Sequence, residues 1–256
     1  MNNKKVTKEE FKKITLDILD DVDCFCRKHE IKYHISYGTL LGAIRHKGFI
    51  PWDDDVDISM PYPDMIRFKE SYHSEKFKYI DVDSEPNYEF PFSRIAFLPT
   101  YNRIGLVAKS YGVNIDLYPV TGCPEKEEDI ERFFMEGRRK QARRLKYIAY
   151  RSRIIKFLPI TTIPGFSSIN KHFRDYLLQF PYENTKRYFH VGGPIKRYQV
   201  FDFDVFEELI DVDFEGHKYL APAKYHDYLK QVYGDYMTPP PVEKRHPTHG
   251  GNYYWK

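Results

Sequence analysis

The sequence predicts a fold of the α/β (α+β) class, with a mixed sheet flanked by helices and a helical insertion. Three patterns support this prediction: an amphipathic helix near the start, several short segments rich in β-formers, and a long charged helical stretch over 125–156. The 256 residues are enough for one domain, 1–256, with the insertion at 124–190.

The first helix is predicted over 7–29. Thr7 and Glu10 form a capping box, and apolar residues then recur at helical spacing: Phe11, Ile14, Ile18, Val22 and Phe25. The alternating segment 31–37 predicts a strand, and the following segment predicts a short helix over 39–46 with Thr39 as its N-cap.

The remaining elements are predicted from hydrophobic periodicity and from the Gly and Pro residues that separate them. Strands are predicted over 56–60, 78–82, 92–98 and 112–120, and helices over 64–72, 125–156, 169–179 and 224–232. A hairpin is expected to turn at Glu215 and Gly216, and the Pro/Gly-rich tail is expected to be a loop.

Composition narrows the functional class. A net charge of +3 is too small to indicate nucleic-acid binding, and no binding motif accompanies it, so no nucleic-acid partner is expected. The chain has three cysteines without a C-x-x-C motif, no apolar leader and no apolar run long enough to span a membrane. We therefore expect a cytoplasmic protein, with peripheral contact at the inner face of the cell membrane left open.

Two acids stand two residues apart at the start of a predicted strand. Residues i and i+2 of a strand point to the same face, so the carboxylates of Asp55 and Asp57 are expected to converge. Two such charges repel each other unless a proton or a hard divalent cation neutralises them. Because D-x-D pairs also occur at strand edges without a metal, the pair alone does not decide the matter.

A third acid, Asp116, lies within the apolar segment 112–120. A buried charge is costly unless it is paired or bound to a cation. If its strand lies beside that of Asp55 and Asp57, the three carboxylates predict a site for one or two Mg²⁺ ions, with Mn²⁺ as a substitute. Asp116 is also a candidate acceptor for the proton of an incoming hydroxyl group, or simply a satisfied buried acid.

A glycine and a helix start precede these acids. Gly38 would let a phosphate approach the backbone, and the helix that Thr39 begins would offer free N–H groups and a positive dipole end. Arg45 and His46 near the end of this helix are predicted to pair with phosphate oxygens. A Gly-Thr pair before a helix is ordinary turn chemistry when it stands alone.

Three separated blocks of the chain resemble the LicD family. They are YGTLLGAIRHKGFIPWDDDVDISMP at 37–61, NIDLYPV at 114–120, and LAPAKYHDYLKQVYGDYMTPPPVEKR at 220–245, which His246 follows. The resemblance covers nearly the whole chain, with departures from the better-known members at about 123–197. That segment is where an acceptor is expected to bind.

The resemblance implies a nucleotidyltransferase fold, with Gly38-Thr39, Asp55, Asp57 and Asp116 at the positions of the family pattern. Characterised LicD proteins transfer phosphocholine from CDP-choline to bacterial surface glycans such as teichoic acid or lipopolysaccharide. Related fukutin-type proteins transfer ribitol phosphate from CDP-ribitol. The implied partners are thus a CDP-linked donor, CDP-choline or a CDP-polyol, and a glycan or lipid-linked glycan acceptor.

Three further residues are candidates for donor binding. Trp52 adjoins the carboxylates and offers an aromatic face to a quaternary ammonium group. Arg94 is a lone cation in an apolar strand and needs an anion, either a donor phosphate or a nearby acid. Arg245 follows a Pro-rich turn and either folds back to the site or lies in an exposed tail.

The segment 138–156 contains nine Lys and Arg residues and no acid. One interpretation is a surface for anionic lipid headgroups that extends through the apolar residues up to 165. The other is a solvated helix face that balances the acidic run before it. The sequence favours neither.

The predicted reaction is attack of an acceptor hydroxyl on the distal phosphorus of the donor, with release of CMP. Two alternatives use the same fold. A true nucleotidyltransferase would attack the α-phosphorus of an NTP and release pyrophosphate, and a binding protein would catalyse nothing.

Overall fold

The computed structural model describes residues 4–85, 88–104, 107–109, 111–154, 167–183, 185–192, 195–247 and 252–256. Within these ranges the chain forms six α-helices and twelve β-strands, which confirms the α/β class. The chain divides into two compact units. The first comprises 1–79, 94–118 and 204–256, and the second comprises 80–93 and 119–203. The prediction of one domain with an insertion at 124–190 stays a prediction.

The helices are α1 (Lys8–Lys28), α2 (Tyr37–His46), α3 (Tyr62–Ser71), α4 (Glu127–Ile154), α5 (Ser167–Leu177) and α6 (Tyr225–Tyr233). The strands are β1 (His34–Ile35), β2 (Asp57–Pro61), β3 (Phe77–Ile80), β4 (Ser93–Phe97), β5 (Thr100–Ile104), β6 (Val107–Lys109), β7 (Asn114–Gly122), β8 (Arg187–His190), β9 (Val200–Asp202), β10 (Leu209–Phe214), β11 (His217–Pro222) and β12 (Tyr253–Trp255).

The first unit is built on the strand order β1-β2-β7-β4-β3. The first residues of β7, 114–118, lie in this unit and are buried along their whole length. The backbone N–H of Asp116 donates to the carbonyl of Val56 at 2.8 Å, which fixes β7 beside β2. A strand pair at this position brings the two acidic segments of the sequence to one place in the sheet.

Helix α1 confirms the sequence prediction closely. Thr7 caps it through the predicted box: the Thr7 hydroxyl accepts from the Glu10 amide, and the Glu10 side chain accepts from the Thr7 amide. The apolar stripe of α1 is buried, with Ile18, Leu19 and Val22 fully enclosed. This packing anchors the helix on the core of the first unit.

Helix α2 begins two residues earlier than the sequence suggested. Ser36 is its N-cap residue and Tyr37 its first residue, so the prediction of a Thr39 cap is wrong. The hydroxyl of Thr39 instead accepts a hydrogen bond from the Asp57 amide at 2.8 Å. The Thr39 hydroxyl therefore serves a distant residue on β2 and does not cap the helix, because the Asp57 N–H is buried and needs an acceptor.

The hairpin of β10 and β11 turns where the sequence predicted, with positive φ angles of 52° at Glu215 and 82° at Gly216. Its tip holds the loop that follows α2. The Glu215 carboxylate accepts from the Phe49 amide, and the Glu215 amide donates to the Lys47 carbonyl, both at 2.9 Å. The loop that leads to the acidic segment is therefore fixed by two long-range hydrogen bonds.

The second unit has its own core. Helices α4 and α5 pack with β8 and the end of β7 around buried residues that include Ile130, Phe133, Phe134, Phe173 and Phe189. Buried Arg144 on α4 donates to the Glu89 carbonyl at 2.5 Å and to the Asn170 side chain at 3.2 Å. Residues 155–166 lie outside the described residues, so the end of the predicted helix and the apolar segment after it are not described.

The sequence missed several short strands. The tail was predicted as a loop throughout, yet Tyr253–Trp255 forms β12 and pairs with β5, so that part of the prediction is wrong. Strands β5, β6, β8 and β9 were also missed, because each has only three to five residues and carries little local signal. In the described part of the chain, no helix is long and apolar enough to cross a membrane.

Two glycines of α2 give a matched test of the packing. A Cβ at Gly42 would lie 2.5 Å from the carbonyl oxygen of Gly48, whereas a Cβ at Gly38 would meet only the end of the Asp53 side chain. We expect Gly42→Ala to destabilise the protein by about 1–3 kcal/mol, since backbone must move. Gly38→Ala should change stability much less, because a side chain can rotate away. Chemical denaturation of both variants measures the difference, and equal stabilities would contradict the packing described.

Candidate active site

The candidate site lies entirely in the first unit, where the extended segment 53–56 leads into β2. Asp57 is the first residue of β2, and Asp116 lies on the adjacent strand β7. Both side chains are buried, with 5% of Asp57 and 7% of Asp116 exposed. The structure therefore brings together the acids that are about sixty residues apart in the chain.

Asp57 is buried close to other acids, which disfavours the charged form of its side chain. Its Oδ1 atom is buried and has no hydrogen-bond partner in the described part of the chain. Burial raises the pKa of Asp57 well above its ordinary value, and the negative charges of Asp55, Asp116 and Asp53 raise it further. Such a carboxylate is stabilised either by a proton or by a cation that binds to the free oxygen.

Asp53 lies in the same electrostatic environment as Asp57. The pKa of Asp53 is raised to about 7. Burial is the main cause, and the charge of Asp55 and a hydrogen bond with the Asp55 side chain raise it further. A Cβ at Gly38 would lie 2.6 Å from the Asp53 carboxylate. The absence of a side chain at Gly38 is therefore what lets this carboxylate approach the first turn of α2.

Asp116 differs from the other acids because it has a cationic partner. The Arg94 guanidinium donates to Asp116 through Nε at 2.6 Å and Nη2 at 3.4 Å. The Tyr118 hydroxyl donates to the same carboxylate at 3.2 Å. Of the two partners that the sequence allowed for Arg94, a phosphate or an acid, the structure shows the acid.

A cavity of about 520 Å³ opens beside these acids. One part of its lining is acidic, with Asp53, Asp55, Asp57 and Asp235. The rest of the lining comprises Gly38, Leu41, Arg45, Ile50, Trp52, Tyr233, Tyr236, Thr238, Pro240, Lys244 and His246. A ligand in this cavity would thus meet carboxylates and cations within one space.

The cationic part of the cavity comes from α2 and from the tail after α6. Arg45 donates to the Tyr236 carbonyl at 2.7 Å and to the His46 ring at 3.0 Å. Burial, and then the charge of Arg45, lowers the pKa of His46. The guanidinium of Arg245 lies 5.2 Å from the centroid of the Trp52 ring. Of the two interpretations of Arg245, the structure therefore supports the one in which this residue folds back to the site.

Asp55 and Asp57 are the residues that could hold a divalent cation. Carboxylate oxygens are the ligands that Mg²⁺ prefers, and Asp57 Oδ1 is a buried acceptor in need of a partner. Within the described ranges no three His, Cys, Asp or Glu side chains are grouped as a metal site. The carboxylate of Asp116 already forms an ion pair with Arg94. The pair fits a cation, whereas Asp116 would have to exchange its partner.

Sequence inspection overlooked some of the residues that shape the site. Tyr233, Asp235 and Tyr236 line the cavity. They lie in the block 220–245 that resembles the LicD family, but no role was predicted for them. Only long-range folding of the tail brings them to the acids.

Comparison with known proteins adds a family to this geometry. Residues 30–154 match the family described as "LicD/FKTN/FKRP, nucleotidyltransferase domain". The chain is 28% identical over 260 aligned positions to the lipopolysaccharide cholinephosphotransferase LicD of Haemophilus influenzae, covering 96% of this chain and 97% of that protein. An uncharacterised protein of Rickettsia typhi is 47% identical to this chain over 53 residues, which cover 21% of this chain and 17% of that protein. An uncharacterised protein of Rickettsia prowazekii is 45% identical over 53 residues, which cover 21% of this chain and 20% of that protein.

The raised pKa of Asp53 predicts how stability depends on pH. The folded protein holds a proton on this group up to about pH 7, whereas the unfolded chain loses it near the ordinary value of 3.8. Without divalent cations, the free energy of unfolding should therefore fall as pH rises between these values.

Asp53→Asn should flatten this pH dependence, because the neutral amide removes the charge that folding disfavours. Thermal melts of the wild-type protein and the variant at pH 5 and pH 8 measure the effect, expected to be several degrees (about 2–4 °C per kcal/mol). Asp213→Asn, at an exposed hairpin position, is the matched control. The same pH slope in Asp53→Asn and the wild type would contradict the assignment.

Proposed function

Residues 30–154 carry a LicD family domain, and from this premise we propose that the chain transfers phosphocholine from CDP-choline to a hydroxyl group of a cell-surface glycan precursor. The Haemophilus influenzae relative is a lipopolysaccharide cholinephosphotransferase, which supports the transferred group and a lipopolysaccharide type of acceptor. A CDP-polyol as donor and teichoic acid as acceptor are the variants of the same proposal. In each of them the product released is CMP.

The observation that carries the proposal is the buried Asp57 oxygen without a partner, beside a cavity that has both acidic and cationic walls. A diphosphate alone would be repelled by Asp53, Asp55 and Asp57. A diphosphate that arrives with a divalent cation would satisfy both walls, because the cation faces the acids and the phosphates face the cations. The cavity is thus suited to a metal–diphosphate ligand.

Asp55 and Asp57 would hold one or two Mg²⁺ ions, with Mn²⁺ as a substitute. When bound, the ion would offset negative charge on the diphosphate as the phosphorus–oxygen bond breaks. Burial and then the charge of Asp55 raise the pKa of Asp53 to about 7, so that Asp53 holds a proton below this pH in the cation-free protein. Cation binding should therefore displace this proton, so the apparent affinity should rise with pH.

The remaining phosphate contacts are assigned to α2 and the tail. The start of α2 at Gly38 and Thr39 presents its positive dipole end to the cavity side that Gly38 lines. Arg45 is held in place by the Tyr236 carbonyl, and His46 and Arg245 add donors nearby. Arg94 acts through Asp116 in this proposal and contacts the donor only if that ion pair opens.

Transfer requires the acceptor hydroxyl to lose a proton. Asp116 is the proposed acceptor of that proton, with Arg94 and Tyr118 fixing the orientation of its carboxylate. The hydroxyl oxygen bonds to the distal phosphorus, and the bond from that phosphorus to the bridging oxygen breaks. CMP leaves with the bridging oxygen and its charge.

Trp52 is proposed to stack on the choline group. Its ring lines the cavity, and the Arg245 guanidinium lies over the ring at 5.2 Å. A ring that attracts one cation offers the same kind of contact to a quaternary ammonium group. Trp52→Leu should weaken binding of CDP-choline more than binding of CDP-glycerol, which has no such group.

Product analysis tests the proposal directly. The protein is incubated with Mg²⁺, a glycan acceptor and, in separate reactions, CDP-choline, CDP-ribitol, CDP-glycerol, CDP-ethanolamine or CTP. We expect CMP to form in a Mg²⁺-dependent way with CDP-choline. Release of pyrophosphate from CTP would support a true nucleotidyltransferase instead. Absence of any Mg²⁺-dependent binding of the CDP compounds in calorimetry would contradict both.

Asp57→Asn tests the site itself. The amide has the same shape but is a poor cation ligand, so the fold should persist while turnover falls at least about 100-fold, beyond the 10–100-fold typical of residues around a metal. Asp116→Asn should also lose turnover, and Asp213→Asn should keep it. Near-normal rates in both Asp57→Asn and Asp116→Asn would show that the site is assigned incorrectly.

A further inference from the structure

The outward face of α4 in the second unit combines two kinds of exposed side chain. The opposite face of the helix is buried, with Phe133, Phe134 and Arg144 packed into the core of that unit. Three large apolar side chains are exposed on the outward face: Met135 (48%), Leu145 (51%) and Tyr150 (65%). We call the outward face, formed by exposed residues from 135 to 150, the α4 face.

Helical geometry places these apolar residues together with cations. At 100° per residue, positions 135, 138, 142, 145 and 149 fall on one stripe, which contains Met135, Arg138, Ala142, Leu145 and Ala149. Arg139, Arg143, Lys146 and Tyr150 flank this stripe, and all of these positions are exposed. The α4 face therefore has one stripe of four apolar residues and Arg138, with basic residues along one side of it.

The charge of the α4 face is not neutralised within the described chain. Glu131 pairs with Arg138 at 3.8 Å, and Glu136 pairs with Lys140 at 3.3 Å. In the described ranges, Arg139, Arg143 and Lys146 have no ion-pair partner. The sequence from 137 to 154 contains no acid at all. A solvated helix face would not need three large apolar side chains between its cations.

We propose that the α4 face docks on an anionic bilayer surface. The chemistry matches that of an interfacial helix: apolar side chains enter the boundary between headgroups and acyl chains, and flanking Lys and Arg contact anionic headgroups. The sequence left a membrane surface and a solvated face equally open. The exposure of Met135, Leu145 and Tyr150 favours the membrane.

An anionic bilayer fits the α4 face better than a nucleic acid does. Nucleic-acid binding draws on phosphate contacts and base stacking, whereas the α4 face has one aromatic side chain, Tyr150, beside the exposed aliphatic side chains of Met135 and Leu145. The inference does not depend on the transferase proposal, because it uses neither Asp57 nor the cavity. Each proposal is therefore open to failure on its own.

Vesicle sedimentation of the full chain tests this inference. We expect binding to vesicles of phosphatidylcholine with about 30% phosphatidylglycerol, weak binding to pure phosphatidylcholine, and weaker binding at high salt. Each cation near such a surface is worth about fivefold in partitioning, so R139E/R143E/K146E should lower it at least about 100-fold. Leu145→Ser should lower it roughly tenfold through the lost apolar contact.

The matched control is K32E/K76E/K218E, which changes the net charge equally at exposed positions of the first unit. It should keep most vesicle binding. Circular dichroism and thermal melts must show that each variant is folded, and Leu145→Ser serves as the milder variant if the triple variant unfolds.

Several outcomes would overturn the inference. One is the absence of binding to anionic vesicles. Another is equal loss in the control, which would indicate attraction by net charge alone. A third is preferential binding of a single-stranded oligonucleotide that R139E/R143E/K146E abolishes. Calorimetry with CDP-choline and Mg²⁺ separates the two proposals, since all the α4 variants should bind the donor like the wild type.

Discussion

The candidate site depends on one electrostatic constraint: four carboxylates, those of Asp53, Asp55, Asp57 and Asp116, lie close together beside β2, and Asp116 among them forms an ion pair with Arg94. Arg94 neutralises Asp116. Asp57 has a buried oxygen without a hydrogen-bond partner among the described residues, and burial, together with the charge of Asp55, raises the pKa of Asp53. In the low dielectric of a protein interior, such an arrangement is stable only with protons or with a bound cation. Folding therefore brings together acids whose charges must be offset by protons or by a cation.

The surrounding structure keeps these charges from separating. Thr39 accepts from the Asp57 amide, Gly38 leaves room for the Asp53 carboxylate, and the Glu215 tip of the hairpin holds the loop that leads to the acids. Each contact joins segments that are distant in the chain, so the repulsion is balanced by packing rather than by local structure. The same contacts explain why α2 and the hairpin belong to the functional architecture and not only to the core.

The two proposals use different physical properties in different parts of the chain. The cavity in the first unit combines acids with Arg45 and Trp52, which suits a CDP-linked donor accompanied by a cation. The α4 face in the second unit combines exposed Leu145 and Tyr150 with three cations, Arg139, Arg143 and Lys146, that have no ion-pair partner in the described part of the chain, which suits an anionic surface. A transferase that modifies glycan precursors would benefit from both, yet each rests on its own contacts.

The sequence by itself determined the elements whose signals are local. The capping box of α1, the Glu215-Gly216 turn and the acidic segment before β2 were all visible, because each depends on neighbours within a few residues. Tertiary structure decided which partners those residues chose. Thr39 bonds to Asp57 instead of capping a helix, Arg94 pairs with Asp116, and the tail forms β12 and lines the cavity. Such choices turn on charges and hydrogen-bonding groups that meet only after folding, so no local pattern could reveal them.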